Sequence, residues 1–197
     1  MPSPSATQEM IETFVPLTTA YPAVSRNTTN TTAIVNSPSP ARRTRVTVPS
    51  GVTLIASGDN AAKAGGVAIL SFPAGKIIPL GAIIVSGSIV GDQTDANNTA
   101  GEIGLGTVVG SGSNATLGAV GATSEDFMEG ATIGNMTAGA AVSVANLNDG
   151  PRDPIGNASA AWSLYLNLAT TFGNYGTAQN ITTSGAMVID LVYIPLK

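Results

Sequence analysis

The sequence predicts an all-β protein: an antiparallel β-sandwich, jelly-roll-like, with an extended N-terminal arm. Three observations predict it. In Trp162 to Leu168 the apolar residues Trp162, Leu164, Leu166 and Leu168 alternate with Ala161, Ser163, Tyr165 and Asn167, a period of two with one dry and one wet face. Such runs are short and are separated by Gly, Asn and Pro turns. Helical periodicity is nearly absent, apart from one turn at Ser124 to Glu129 before Gly130. A chain of 197 residues is long enough to bury a core within one domain.

Residues 1–41 form the arm. Ser5-Ala6-Thr7-Gln8 fits a capping box, so a short helix is expected to about Phe14, stopped at Pro16. From Thr18 to Pro40 the chain is Thr, Asn, Ser and Pro, too poor in apolar residues to fold alone. Yet Met10, Ile11, Phe14, Val15, Leu17 and Tyr21 are costly to leave in water. The arm is therefore expected to be mobile in a free subunit and ordered on a partner, with Phe14, Leu17 and Tyr21 as contact candidates.

Residues 42–197 form the sandwich. Arg43 to Val48 is its first strand, with Val46 and Val48 on one face, and Val52 to Ala56 follows the Pro49-Ser50-Gly51 turn. Gly66 to Phe72 ends at Pro73-Ala74-Gly75. Lys76 to Val90 is one bent strand or two short ones, because Pro79 and Gly81 interrupt it. Gly101 to Val109 points Ile103, Leu105, Thr107 and Val109 one way and Gly104 and Gly106 the other. Ala141 to Leu147 is a short strand. Met187 to Ile194 closes the chain and is apolar on both faces, which places it centrally.

Composition excludes several classes of function. Cys and His are both absent, so there is no disulfide frame, thiolate zinc site or Ser-His-Asp triad. Charged residues make up 10% of the chain, against roughly 25% in an ordinary domain. With net charge −4 and 5% aromatics, direct nucleic-acid binding is not expected. The longest mostly apolar run, Ile77 to Val85, is too short to span a bilayer, and the N-terminus lacks a secretory core segment.

No motif for catalysis or a cofactor survives inspection. Gly75-Lys76 is not part of a phosphate loop, and Gly101, Gly104, Gly106 and Gly110 match no dinucleotide fingerprint. Glu125, Asp126 and Glu129 are the tightest carboxylate cluster, and a solvated turn accounts for them better than glycosidase chemistry does. The runs Asp92 to Asn98 and Asn146 to Gly150 carry oxygen ligands suited to calcium, but ordinary turn chemistry explains both. Arg42-Arg43-x-Arg45 is the one basic cluster. It reads either as an edge strand protected by charge or as a contact with an acidic protein surface or with phosphate.

Four segments together resemble the decoration, or cement, proteins of tailed-bacteriophage capsids. They are Ser71-Phe72-Pro73-Ala74-Gly75-Lys76-Ile77-Ile78-Pro79-Leu80-Gly81-Ala82, Gly101-Glu102-Ile103-Gly104-Leu105-Gly106-Thr107, the Ser124 to Met128 turn, and Trp162-Ser163-Leu164-Tyr165-Leu166-Asn167-Leu168 with the closing strand Gly185 to Ile194. The likeness covers roughly residues 66–194 and leaves the arm unmatched. It implies a non-enzymatic virion protein without cofactor or metal, located on the outer capsid surface. Its partners would be the major capsid protein and itself, as a homotrimer. Contact candidates are then Phe14, Leu17, Tyr21, Arg42, Arg43 and Arg45. The alternative expectation is a tail, baseplate or surface appendage that binds a host receptor or glycan.

Overall fold

A computed structural model of the chain describes residues 32–36, 40–55, 64–91, 101–110, 117, 122–133, 140–141, 144–147, 153–170 and 180–196. Within them the protein is an all-β structure of three antiparallel sheets. The largest sheet is ordered β1 (Thr32–Asn36), β2 (Arg42–Val48), β14 (Met187–Pro195), β5 (Gly75–Ser86), β10 (Val144–Leu147), with β11 (Ile155–Asn157) also on β5. The second is β4 (Ala64–Phe72), β12 (Trp162–Thr170), β7 (Gly101–Gly106), β8 (Met128–Ile133). The third and smallest is β3 (Thr53–Ile55), β13 (Ile181–Thr183), β6 (Ser88–Gly91), β9 (Ala140–Ala141).

Period-two alternation builds the core. Val46 and Val48 of β2, Met187, Ile189 and Leu191 of β14, and Leu164, Leu166 and Leu168 of β12 are all fully buried. With Leu70 of β4, Ile84 of β5 and Ile103 and Leu105 of β7 they join one apolar cluster. β14 lies between β2 and β5, as a strand apolar on both faces should.

Pro79 is accommodated in the long strand β5 by a register shift. Val192 pairs with Gly81 and Tyr193 with Pro79, so Leu80 is the extra residue. Gly81 takes φ +131° there, a value that disfavours any side chain. The stretch Lys76 to Val90, expected as one bent strand or two short ones, is two strands in different sheets, the long bulged β5 and the short β6, parted after Ser86 rather than at Pro79. A second shift lies in the β12–β4 pairing, where Leu164 pairs with Leu70 and Tyr165 with Ala68. It gives β4 the extra residue Ile69, and Ile69 and Leu70 are buried side by side.

Three expectations need correction. β2 is not an edge strand, because β1 pairs along its far side from Thr32↔Thr47 to Asn36↔Arg43. The Ser124 to Glu129 segment is a 3-10 turn at Ala122–Ser124 followed by bends and then β8, not a turn of α-helix. Asn167 is not on a wet face: it is fully buried, because the chain after β7 folds back over this part of β12.

Candidate functional site

Of the six contact candidates, the three described arginines do not form one patch. Phe14, Leu17 and Tyr21 lie outside the described residues, as do the calcium-like run Asp92 to Asn98 and the tip 148–150. Arg42, Arg43 and Arg45 are separated by strand alternation. Arg43 and Arg45, two residues apart, share the outer face of the large sheet, and Arg42 turns toward the cavity described below.

On the outer face both arginines meet Asp190. Its carboxylate sits in the middle of β14 with its side chain 2% exposed. Register pairs Arg45 with Asp190 directly. Arg45 grips it as a fork, Nε to Oδ1 at 2.8 Å and a terminal nitrogen to Oδ2 at 2.8 Å. Arg43 donates to Oδ2 from the neighbouring position. The hydrogen bond from Arg45, aided by Arg43, holds the Asp190 carboxyl down at about 2 against burial, which pushes the other way. The arginines themselves stay about half exposed. One acid between two bases leaves this cluster a net charge of +1.

Two of the carboxylates that looked like a cluster, Glu125 and Asp126, are turn fasteners, and Glu102 of β7 is a third. Asp126 accepts from the Thr107 backbone N–H at 2.8 Å and from the Thr107 hydroxyl at 2.6 Å. Glu125 accepts from the Gly130 N–H and Glu102 from the Leu117 N–H. Asp126 thus ties the β7–β8 connection to itself, and Glu102 and Glu125 tie it to the strands at its two ends. Among the described residues no three His, Cys, Asp or Glu stand together as a metal site.

Asn167 finishes that connection. Its Nδ2 donates to the carbonyls of Val108 and Ser124 at 2.9 and 2.7 Å, and its Oδ1 accepts from the Gly110 N–H at 2.9 Å. Gly66 faces it so closely that a Cβ there would strike Oδ1.

A cavity of about 80 Å³ opens at the end of the sandwich where β2 begins and β14 ends. The Pro73-Ala74-Gly75 turn forms one side, with Gly75 at φ +139°. Trp162 stacks on Phe72 with ring centroids 4.3 Å apart and planes 10° from parallel, and Phe72 meets Tyr193 edge to face at 5.4 Å. The indole Nε1–H donates to the Gly75 carbonyl at 3.0 Å. The Tyr193 hydroxyl is bonded to Thr44 Oγ1, and burial pushes its phenol above the usual value. Gly156, at φ +101°, packs on the indole so tightly that a Cβ would lie 2.5 Å from the ring. Sequence reasoning missed this site because its lining comes from four separated stretches: Arg42, the β4–β5 turn, Trp162 and Tyr193 with Pro195 and Leu196.

No protein-family model, curated protein or solved structure matches the chain.

Proposed function

We propose that this chain is a structural virion protein, a decoration or cement protein that binds the outside of a tailed-phage head and stabilises the junctions between capsomers. The partners would be the major capsid protein and further copies of the chain, as a homotrimer. The observation that carries this reading is strand β1. Residues 32–36, which the sequence assigns to the arm, add as an edge strand to the six-stranded large sheet, antiparallel beside β2 of the same chain. Strand addition is the means by which an arm fastens one chain to another, since backbone hydrogen bonds supply the affinity whatever the side chains.

Such a protein has no turnover, and its work is a binding free energy. The described surface suits many weak contacts. Val85 and Val108 are small exposed apolar residues, and the Arg43–Asp190–Arg45 cluster has one net positive charge to offer. Exposed ion pairs are worth roughly 0–1 kcal/mol and are screened by salt, so affinity has to come from area and repetition.

The test is heat release of DNA from purified heads with and without saturating added protein. Heads that lack it should assemble and then lose DNA at lower temperature. Identical release curves would rule out the cement role and shift the weight to a tail or host-attachment protein.

A further inference from the structure

The cavity at the aromatic end is lined, among the described residues, by two cations, Arg42 and Lys76, and by no carboxylate. That is notable in a chain with 12 acidic and 8 basic residues. Lys76 is exposed and, among the described residues, makes no ion pair. The remaining wall is apolar: Phe72 and Tyr193 beneath, Trp162 at the side and Leu196, 37% exposed, at the lip. The indole N–H and the phenol are already bonded within the protein, so charge is left as the main recognition element. At about 10–15 Å³ of such space per water, about 80 Å³ holds roughly five to eight waters. It admits a carboxylate and a short run of methylenes.

The walls are also set in advance. Trp162 is held by its stack on Phe72, by its bond to Gly75 and by the close approach of Gly156. Leu196 is held by its backbone N–H on the Lys76 carbonyl at 2.9 Å. A site that is already shaped loses little order when a ligand enters.

We infer that this cavity binds a carboxylate on a short apolar neck, the head held by Arg42 and Lys76 and the neck against Trp162 and Phe72. That chemistry belongs to a short free acid such as propionate and equally to a glutamate side chain presented by a protein. The inference stands apart from the capsid reading.

The chain has a single Trp, so the indole N–H of Trp162 gives one unambiguous NMR signal inside the site. The full chain is titrated with sodium propionate, with N-acetyl-glutamate N-methylamide, with neutral propionamide and with sodium chloride at equal ionic strength. Propionate should move the Trp162 signal saturably in the millimolar range, and propionamide and chloride should not. Movement with the blocked glutamate as well assigns the site to a protein side chain; movement with propionate alone assigns it to a free acid. Lys76→Met should weaken the propionate response at least fivefold while the amide spectrum keeps its dispersion. Arg42→Gln is the second variant should Lys76→Met fail to fold. Equal responses to propionate and propionamide, no response beyond chloride, or an unchanged response in a folded variant would overturn the inference.

Discussion

Each of the two main sheets buries one strongly polar side chain on the outward face of its middle strand, and the two are satisfied in opposite ways. Among the described residues the Asn167 side chain of β12, neutral, bonds backbone groups alone, those of Val108, Gly110 and Ser124. The Asp190 carboxylate of β14, charged, bonds side chains alone among them, those of Arg43 and Arg45. The first pins a long connection onto its own sheet. The second clamps two adjacent strands to each other. A neutral residue among fixed backbone partners has no dependence on pH or salt. A carboxylate among half-exposed arginines has both. The comparison shows two solutions to the same problem, a polar group under cover, with different sensitivities to solvent.

The largest effect is expected at the neutral site. Asn167→Leu keeps the volume but strands two carbonyls and one N–H, and should cost about 3 kcal/mol by denaturant unfolding. Proteolysis should then cut the β7–β8 connection first. A loss below about 1 kcal/mol would mean that water replaces the amide and that the pinning role is wrong.

A smaller loss is expected from Arg43→Gln with Arg45→Gln. The double variant leaves Asp190 buried without a cation, and about 2 kcal/mol should go. Of the single variants Arg45→Gln should cost more, because Arg45 makes two of the three bonds. Equal single losses would mean that the fork adds nothing beyond charge.

The third difference is one of pH. The Asp190 carboxyl is held at about 2, below its ordinary 3.8. A depressed acid contributes stability that is complete above about pH 4 and is lost as pH falls through 2, here about 2 kcal/mol in all. Wild type and Asn167→Leu should share this acid-side decline, displaced from each other by a constant. Asp190→Asn should lack that portion of it. Parallel curves for all three proteins between pH 4 and 2 would remove Asp190 from the account.

The smallest effect concerns salt. Raising sodium chloride to about 1 M should weaken the Arg–Asp clamp by no more than about 0.5 kcal/mol and leave the Asn167 contribution unchanged. A larger loss in wild type than in Asp190→Asn, measured by urea midpoints, is the result that would confirm the contrast.

Much of the fold was legible in the sequence. The alternation of Leu164, Leu166 and Leu168, the two apolar faces of the closing strand and the bend at Pro79 each follow from backbone geometry acting over neighbouring residues. Strand β1 was hidden because its apolar centre, Ala33-Ile34-Val35, is only three residues long and embedded among Thr, Asn and Ser. The burial of Asn167 was illegible because its cover comes from residues 43 to 59 positions away. The Asp190 clamp did leave a signal. A lone acid in an apolar strand needs partners, and Arg43 and Arg45, two apart, share one face. What that pattern lacked was the register, which only the assembled sheet provides. The aromatic cavity left no local trace at all.

Strand β14 has a consequence for how the chain folds. It is the last strand in sequence, yet it stands between β2 and β5 and is their only link in the large sheet among the described strands. The bond between Arg45 and Asp190 spans 145 residues. As the polypeptide leaves the ribosome, β2 has to wait, with one edge open, for a partner made more than a hundred residues later. Pairing of such high contact order is slow, and an open edge is exposed to intermolecular pairing in the meantime. Completion of the large sheet is therefore a late event, and the charged clamp at Asp190 closes only after synthesis has passed it.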